Sequence, residues 1–215
     1  MRIKICGITR LEQAQAIAGL DVAGWRVSTL GFICVAQSPR YISADRIQEI
    51  ISKLPDEIQT IGVFANAEVE AIAAVVGQTG LSGVQLHGEE TLEFCEQLRQ
   101  RLPQIKLIKA FRIRTTANLD QVRDYEAVVN TLLLDAYHPD AYGGTGQTLD
   151  WSSLTRFAPT QPWLLAGGLN PNNIAQALAE VSPAGIDLSS GVERSPGDKD
   201  LSKVSALLQA LADTP

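Results

Sequence analysis

The chain has 215 residues, 45% of them hydrophobic, which allows one sizeable core and suits one α/β barrel or one doubly wound sheet better than two full domains. Its formal net charge of -6 and pI near 5.0 argue against a polyanion-binding surface, because nucleic-acid binders concentrate Lys and Arg on one face. A small-molecule partner fits this balance better than DNA or RNA.

Residues 1–5 turn strand-like at once, without the apolar core of a signal peptide, and no apolar run reaches membrane-spanning length. The expected location is the cytoplasm. Cys6, Cys34 and Cys95 are an odd number of cysteines without CxxC spacing, a pattern of reduced thiols rather than of a disulfide framework or a zinc site.

Apolar runs of strand length alternate with helix-period segments along the whole chain, the βαβα pattern of a parallel sheet. Strands are expected at 3–8, 30–35, 60–65, 83–87, 106–111, 131–136, 163–166 and 185–189. Amphipathic stretches at 11–20, 44–54, 69–76, 92–102 and 174–181 lie between them, with 201–211 closing the chain. Eight βα units exceed the five or six strands of a doubly wound sheet, so the predicted fold is one (β/α)8 TIM barrel forming a single catalytic domain over 1–215.

Polar and glycine residues recur where these strands end: Cys6-Gly7, Phe64-Ala65-Asn66, His87-Gly88, Asp135-Ala136, Gly167-Gly168 and Ser189-Ser190-Gly191. In a barrel such positions share the C-terminal rim, where active sites are built. The glycine-rich stretch 140–146 reads as a long mobile loop after strand six.

Gly167-Gly168-Leu169-Asn170-Pro171 follows strand seven, with Asn170 as an N-cap candidate and Pro171 at the first helical position. Ser189-Ser190-Gly191 follows strand eight. Either loop alone is better read as a tight βα turn. Together they have the position and composition of a barrel phosphate site, with Gly167, Gly168, Ser189, Ser190 and Gly191 presenting backbone N–H groups to an anion.

Three further side chains carry possible chemistry. Cys6 ends strand one, where a thiolate could accept a proton, although a free cysteine has a pKa of about 8.5 and is more often an inert core residue. Asp135 closes the run Leu132-Leu133-Leu134 and could serve as a general acid if burial holds its proton, or could cap a loop. Arg40, in Ser38-Pro39-Arg40-Tyr41 before a candidate cap at Ser43, could clamp a carboxylate through its fork of donors or lie on the surface.

His87 reads as a neutral, hydrogen-bonded rim residue, since His138 is the only other histidine and no carboxylate spacing completes a metal site. Asp187 lies within the last strand, as an interior residue or a substrate contact. Cys34 and Cys95 read as packing residues.

The ordered segments Lys4-Ile5-Cys6-Gly7-Ile8-Thr9, Ser38-Pro39-Arg40-Tyr41, Gly62-Val63-Phe64-Ala65-Asn66, Val84-Gln85-Leu86-His87-Gly88, Leu134-Asp135-Ala136, Gly143-Gly144-Thr145-Gly146 with Asp150-Trp151, Ala166-Gly167-Gly168-Leu169-Asn170-Pro171 and Asp187-Leu188-Ser189-Ser190-Gly191-Val192-Glu193 resemble the phosphoribosylanthranilate isomerase family from residue 3 to about 200. The resemblance implies an Amadori rearrangement of N-(5-phosphoribosyl)anthranilate to 1-(2-carboxyphenylamino)-1-deoxyribulose 5-phosphate in tryptophan biosynthesis, with no cofactor and no metal. On the family's pattern Cys6 corresponds to the general base, Asp135 to the general acid and Arg40 to the residue binding the anthranilate carboxylate. The partner is then a phosphorylated small molecule, with neither nucleic acid nor membrane, and the protein a monomer or homodimer.

Two departures stand out: 23–30 is longer than the family's usual turn before strand two, and Val35, Ala36 and Gln37 stand where an aromatic and a lysine are common. Competing readings are a ribulose-phosphate epimerase or histidine-pathway isomerase, both disfavoured by Cys6, and a binding barrel without catalysis, disfavoured by the joint presence of Cys6 and Asp135.

Overall fold

The computed structural model describes residues 1–113, 118–136, 151–155 and 157–214. Eight parallel strands close into a barrel: β1 (Arg2–Cys6), β2 (Thr29–Ile33), β3 (Gln59–Phe64), β4 (Gly83–Leu86), β5 (Lys106–Ile113), β6 (Thr131–Ala136), β7 (Trp163–Ala166) and β8 (Gly185–Leu188). Each strand pairs with its neighbours in sequence and β8 returns to β1, with Lys4 opposite Asp187. Among the described residues seven α-helices accompany them: α1 (Leu11–Ala18), α2 (Ala44–Ile51), α3 (Val69–Thr79), α4 (Leu92–Arg101), α5 (Asn118–Arg123), α6 (Ile174–Glu180) and α7 (Leu201–Ala212). The sequence reading had not named α5, and among the described residues the β6–β7 connection carries only a 3-10 turn, Trp151–Leu154.

The strands form because their apolar runs can be buried on both faces. In β6, Leu132, Leu133 and Leu134 are all buried. Leu133 joins Ile61, Ile108, Ala110, Leu164 and Ala166 in a small inner cluster, while Leu132 and Leu134 belong to the large layer between barrel and helices. Burying one such leucine stabilises the fold by about 1.5–3 kcal/mol. The period-2 alternation then carries past the apolar run: two residues on from Leu133, Asp135 faces inward at the mouth.

The extra residues before β2 form a two-stranded ribbon, Asp21–Val22 paired with Trp25–Arg26. Its turn places Ala23 and Gly24 at φ 52° and 84°, and Asp21 accepts hydrogen bonds from Gly24 N at 2.9 Å and Arg26 Nε at 2.8 Å. A second ribbon, Glu193–Ser195 with Asp198–Lys199, follows β8. Thr9 ties it to the rim, its hydroxyl donating to Gly197 O at 2.6 Å.

Some local expectations are corrected. Helix α6 starts at Ile174 behind Asn173, not behind Asn170: Asn170 Oδ1 instead accepts from Asn172 N at 2.9 Å, an Asx turn that satisfies the local backbone before the helix begins. Ser43 precedes α2 in an extended conformation without a side-chain capping bond. Cys34 lies one residue beyond β2, partly buried against the core. Cys95 is buried on α4. The 140–146 stretch lies outside the described residues.

Candidate active site

All six strand-end segments singled out in the sequence meet in one cavity of about 500 Å³, lined among others by Cys6, Arg40, His87, Asp135, Gly168 and Ser189. Their strands are the reason: β1 and β6 are three apart around the ring, so Cys6 and Asp135 face one another across the mouth. Gly167, Ser190 and Gly191 also line this space.

Cys6 is buried at the end of β1. Two residues back on the same inward row, the fully buried Lys4 bonds both oxygens of Asp187 at 2.9 Å. Lys4 and Cys6 share a space kept open by Gly31 on the adjoining strand: a Cβ there would lie 2.8 Å from Cys6 Sγ and 3.1 Å from Lys4 Nζ. Burial pushes the Cys6 thiol above its ordinary range, with the Lys4 and Lys199 ammonium groups pulling the other way. Burial pulls Lys4 down, but Asp187 and the Cys6 sulfur outweigh it, so Lys4 stays charged.

Asp135 keeps a side-chain exposure of 27%, so it is less enclosed than the sequence reading required of an acid sheltered by burial. Its partner is His87, whose Nε2 lies 3.2 Å from Asp135 Oδ2. Gln85 Nε2 lies 2.9 Å from His87 Nδ1. An amide nitrogen only donates, so this assignment makes Nδ1 the acceptor and leaves the neutral ring's proton on Nε2, toward Asp135. His87 is thus hydrogen-bonded at the rim through both ring nitrogens. Among the described residues Gln85 Oε1 is buried without a partner.

Arg40 crosses the mouth above Gly7, whose φ of 80° favours glycine; a Cβ there would lie 2.8 Å from Arg40 Cδ and 3.2 Å from Ser189 Oγ. The guanidinium makes a fork with Glu193, Nε at 3.0 Å from both oxygens and Nη2 at 2.7 Å from Oε2. Arg40 is therefore a fixed rim group and not a loose surface charge.

The β7 and β8 loops touch. Gly167 and Gly168 have φ of 90° and 64°, and a Cβ on Gly191 would lie 1.9 Å from Leu169 O. Nothing larger than glycine fits between these backbones. Elsewhere on the rim the buried Glu90 accepts from Asn66 N at 2.8 Å and Gly88 N at 2.9 Å and pairs with Lys109 at 3.0 Å, binding the β3, β4 and β5 ends together. Among the described residues no cluster of His, Cys, Asp and Glu suits a metal ion, and no helix is long and apolar enough to cross a membrane.

Sequence reasoning missed Lys4, Gln85, Gly31, Glu193 and Lys199 as site components. The alternation along the strands could have found two of them, because Lys4 and Gln85 lie two residues behind Cys6 and His87.

A parallel barrel whose C-terminal mouth sets a thiol opposite a carboxyl group, beside a fixed arginine and paired glycine loops, defines a (β/α)8-barrel enzyme. The family model for N-(5'phosphoribosyl)anthranilate isomerase matches residues 3–210. The N-(5'-phosphoribosyl)anthranilate isomerase of Gloeothece citriformis is 57% identical, covering 98% of this chain and 94% of that one. The enzyme of the same name from Nostoc punctiforme is 56% identical over 98% of each chain.

The crystal structure of phosphoribosyl anthranilate isomerase from Thermotoga maritima superposes with a TM-score of 0.88 at 36% identity, covering 99% of this chain and 98% of that one. A phosphoribosyl anthranilate isomerase in complex with reduced 1-(o-carboxyphenylamino)-1-deoxyribulose 5-phosphate superposes at 0.82 with 34% identity, over 99% and 98% of the two chains. The chain belongs to the N-(5'-phosphoribosyl)anthranilate isomerase family.

Proposed function

We propose that this protein rearranges N-(5'-phosphoribosyl)anthranilate to 1-(2-carboxyphenylamino)-1-deoxyribulose 5-phosphate as a step of tryptophan biosynthesis, using Cys6 as general base and Asp135 as general acid within one catalytic domain spanning 1–215. The observation that carries the reading is the facing of Cys6 and Asp135 across one cavity. A ribose held between them meets an acid on one side and a base on the other.

Asp135 gives a proton to the furanose ring oxygen, which opens the sugar to an iminium. Cys6, as thiolate, removes the proton on C2, and the enolamine that results tautomerises to the ketone. His87, bonded to Asp135 through Nε2, is placed to orient it. Lys4 is placed to favour the thiolate that burial otherwise resists.

Arg40 is assigned to the substrate carboxylate. With Nε and one face of Nη2 committed to Glu193, its Nη1 side is the one offered to the ligand. The phosphate is assigned to Gly167, Gly168, Ser189, Ser190 and Gly191, where glycine lets backbone N–H groups approach an anion. The relative solved with a phosphorylated product analogue supports a ligand of this class. The protein is read as a cytoplasmic monomer or homodimer acting on a small molecule, not on nucleic acid; a dimeric relative of which monomers were generated is consistent with either state.

The test is the fall in anthranilate-type fluorescence when freshly generated phosphoribosylanthranilate is mixed with purified protein and no added cofactor. Rapid decay proportional to enzyme is expected; decay no faster than the spontaneous loss of substrate overturns the assignment.

A further inference from the structure

Lys199 is fully buried and sits where the two anion subsites meet. Its Nζ donates to Glu193 Oε1 at 2.7 Å, to Ser189 O at 3.2 Å and, at 3.5 Å, to Ser189 Oγ. Glu193, also buried, takes the fork of Arg40 on its other side and a further bond from Gly197 N at 3.1 Å. One carboxylate is thus sandwiched between two cations. Burial works against the Glu193 carboxylate, but the hydrogen bonds from Arg40 and Lys199 outweigh it and hold the group below the usual carboxylate range.

An arginine forked onto a glutamate is, taken as a pair, electrically neutral, and a neutral pair attracts a carboxylate weakly. The second cation changes this: burial pulls the Lys199 ammonium below its ordinary range while the bond to Glu193 works the other way, and with that ammonium counted the cluster carries one net positive charge, presented at the mouth through Arg40. Lys203 adds a bond to Glu193 O at 2.7 Å from the exposed side, outside the sandwich. Backbone bonds hold Lys199 in register, since Gln13 Oε1 accepts from Lys199 N at 3.1 Å and Gln13 Nε2 donates to Lys199 O at 3.0 Å.

We propose that Lys199 is a positioning residue for the substrate's two anionic ends: it frees Arg40 from charge neutralisation by Glu193 and, through Ser189, fixes the loop assigned to the phosphate. The inference rests on the carboxylate and phosphate assignments above. Lys199 touches neither reacting atom, and of the two ammonium groups that oppose burial at Cys6 it is the lesser, so its removal weakens substrate binding more than turnover.

The experiment measures kcat and KM for phosphoribosylanthranilate with wild type, Lys199→Met and the double variant Glu193→Gln/Lys199→Met. In Lys199→Met, KM is expected to rise at least about tenfold with kcat within about threefold. The double variant again leaves Arg40 uncancelled, so its KM is expected to fall at least about threefold below that of the single variant, a rescue that a merely structural lysine does not give. An unchanged KM in Lys199→Met, or a double variant no better than the single, overturns the inference. Should Lys199→Met not fold, the double variant, in which the partly exposed Arg40 is the charge left without its carboxylate, is read against wild type: a KM within about tenfold is expected, and a larger rise overturns the inference. Wild type without turnover removes the functional reading itself, whereas active wild type beside an indifferent Lys199→Met removes this inference alone.

Discussion

His87 and Asp135 are joined across the ends of β4 and β6, Nε2 to Oδ2 at 3.2 Å, and the ring's other nitrogen is held by Gln85 at 2.9 Å. Gln85 thereby sets which nitrogen carries the proton. Because Gln85 Oε1 is buried without a partner among the described residues, the residue costs stability that an apolar side chain of similar size does not.

Gln85→Leu is therefore expected to leave the melting temperature unchanged or raised while lowering kcat by roughly tenfold, the scale of losses when a group orienting a functional histidine is removed. Calorimetry and steady-state kinetics on one preparation check this. Unchanged turnover would falsify the orienting role.

A base that must be a thiolate makes activity depend on pH. Burial holds the Cys6 thiol above its ordinary range, so the active fraction grows as pH rises. A kcat/KM that climbs across the neutral and alkaline range in wild type is expected; a flat profile in an enzyme still dependent on Cys6 contradicts the assignment.

The two remaining thiols make a separate claim about stability. Burial pushes Cys34 up to about 12 and Cys95 to about 11, whereas in the unfolded chain both ionise near about 8.5. Both are raised in the fold, so the folded state binds their protons more tightly. Their contribution is full below about 8.5 and is lost as pH rises toward the folded values. Urea midpoints are expected to fall between pH 8 and pH 10, and to fall less in Cys34→Ala/Cys95→Ala. An equal fall in that variant removes the thiols as the cause.

Gly191→Ala tests the contact between the last two loops. The added Cβ meets Leu169 O at 1.9 Å, and a backbone oxygen cannot swing aside as a side-chain tip can. A KM increase of about tenfold or more is expected if these loops hold the phosphate. An unchanged KM in a folded variant separates the loops from binding.

The barrel was legible because its parallel strands are buried on both faces and read as apolar runs; β6 and β7 have the boundaries expected, Cys6 ends β1, His87 lies just past β4 and Asp135 is the next-to-last residue of β6, each where an apolar run stops. Helix α5 was not, being six residues long and too short to show a helical period. Asn170 misled because an Asx turn and an N-cap use the same side chain. Lys4 and Gln85 escaped because each stands in an apolar stretch as an isolated polar letter, and Lys199 because it sits in the charged run Asp198-Lys199-Asp200; what makes Lys4 a site residue is a partner distant in sequence, Asp187 opposite it. The Arg40–Glu193 fork spans 153 positions, and nothing local to either residue announces it.

The most direct test of the acid–base pair is turnover of phosphoribosylanthranilate by Cys6→Ser and Asp135→Asn, each alongside calorimetric binding of the reduced product analogue. The account requires kcat to drop by about 10²–10⁴ in each variant, with analogue affinity close to that of wild type. Turnover within tenfold of wild type in either variant, or loss of binding that accounts for the whole defect, contradicts the claim that Cys6 and Asp135 perform the proton transfers.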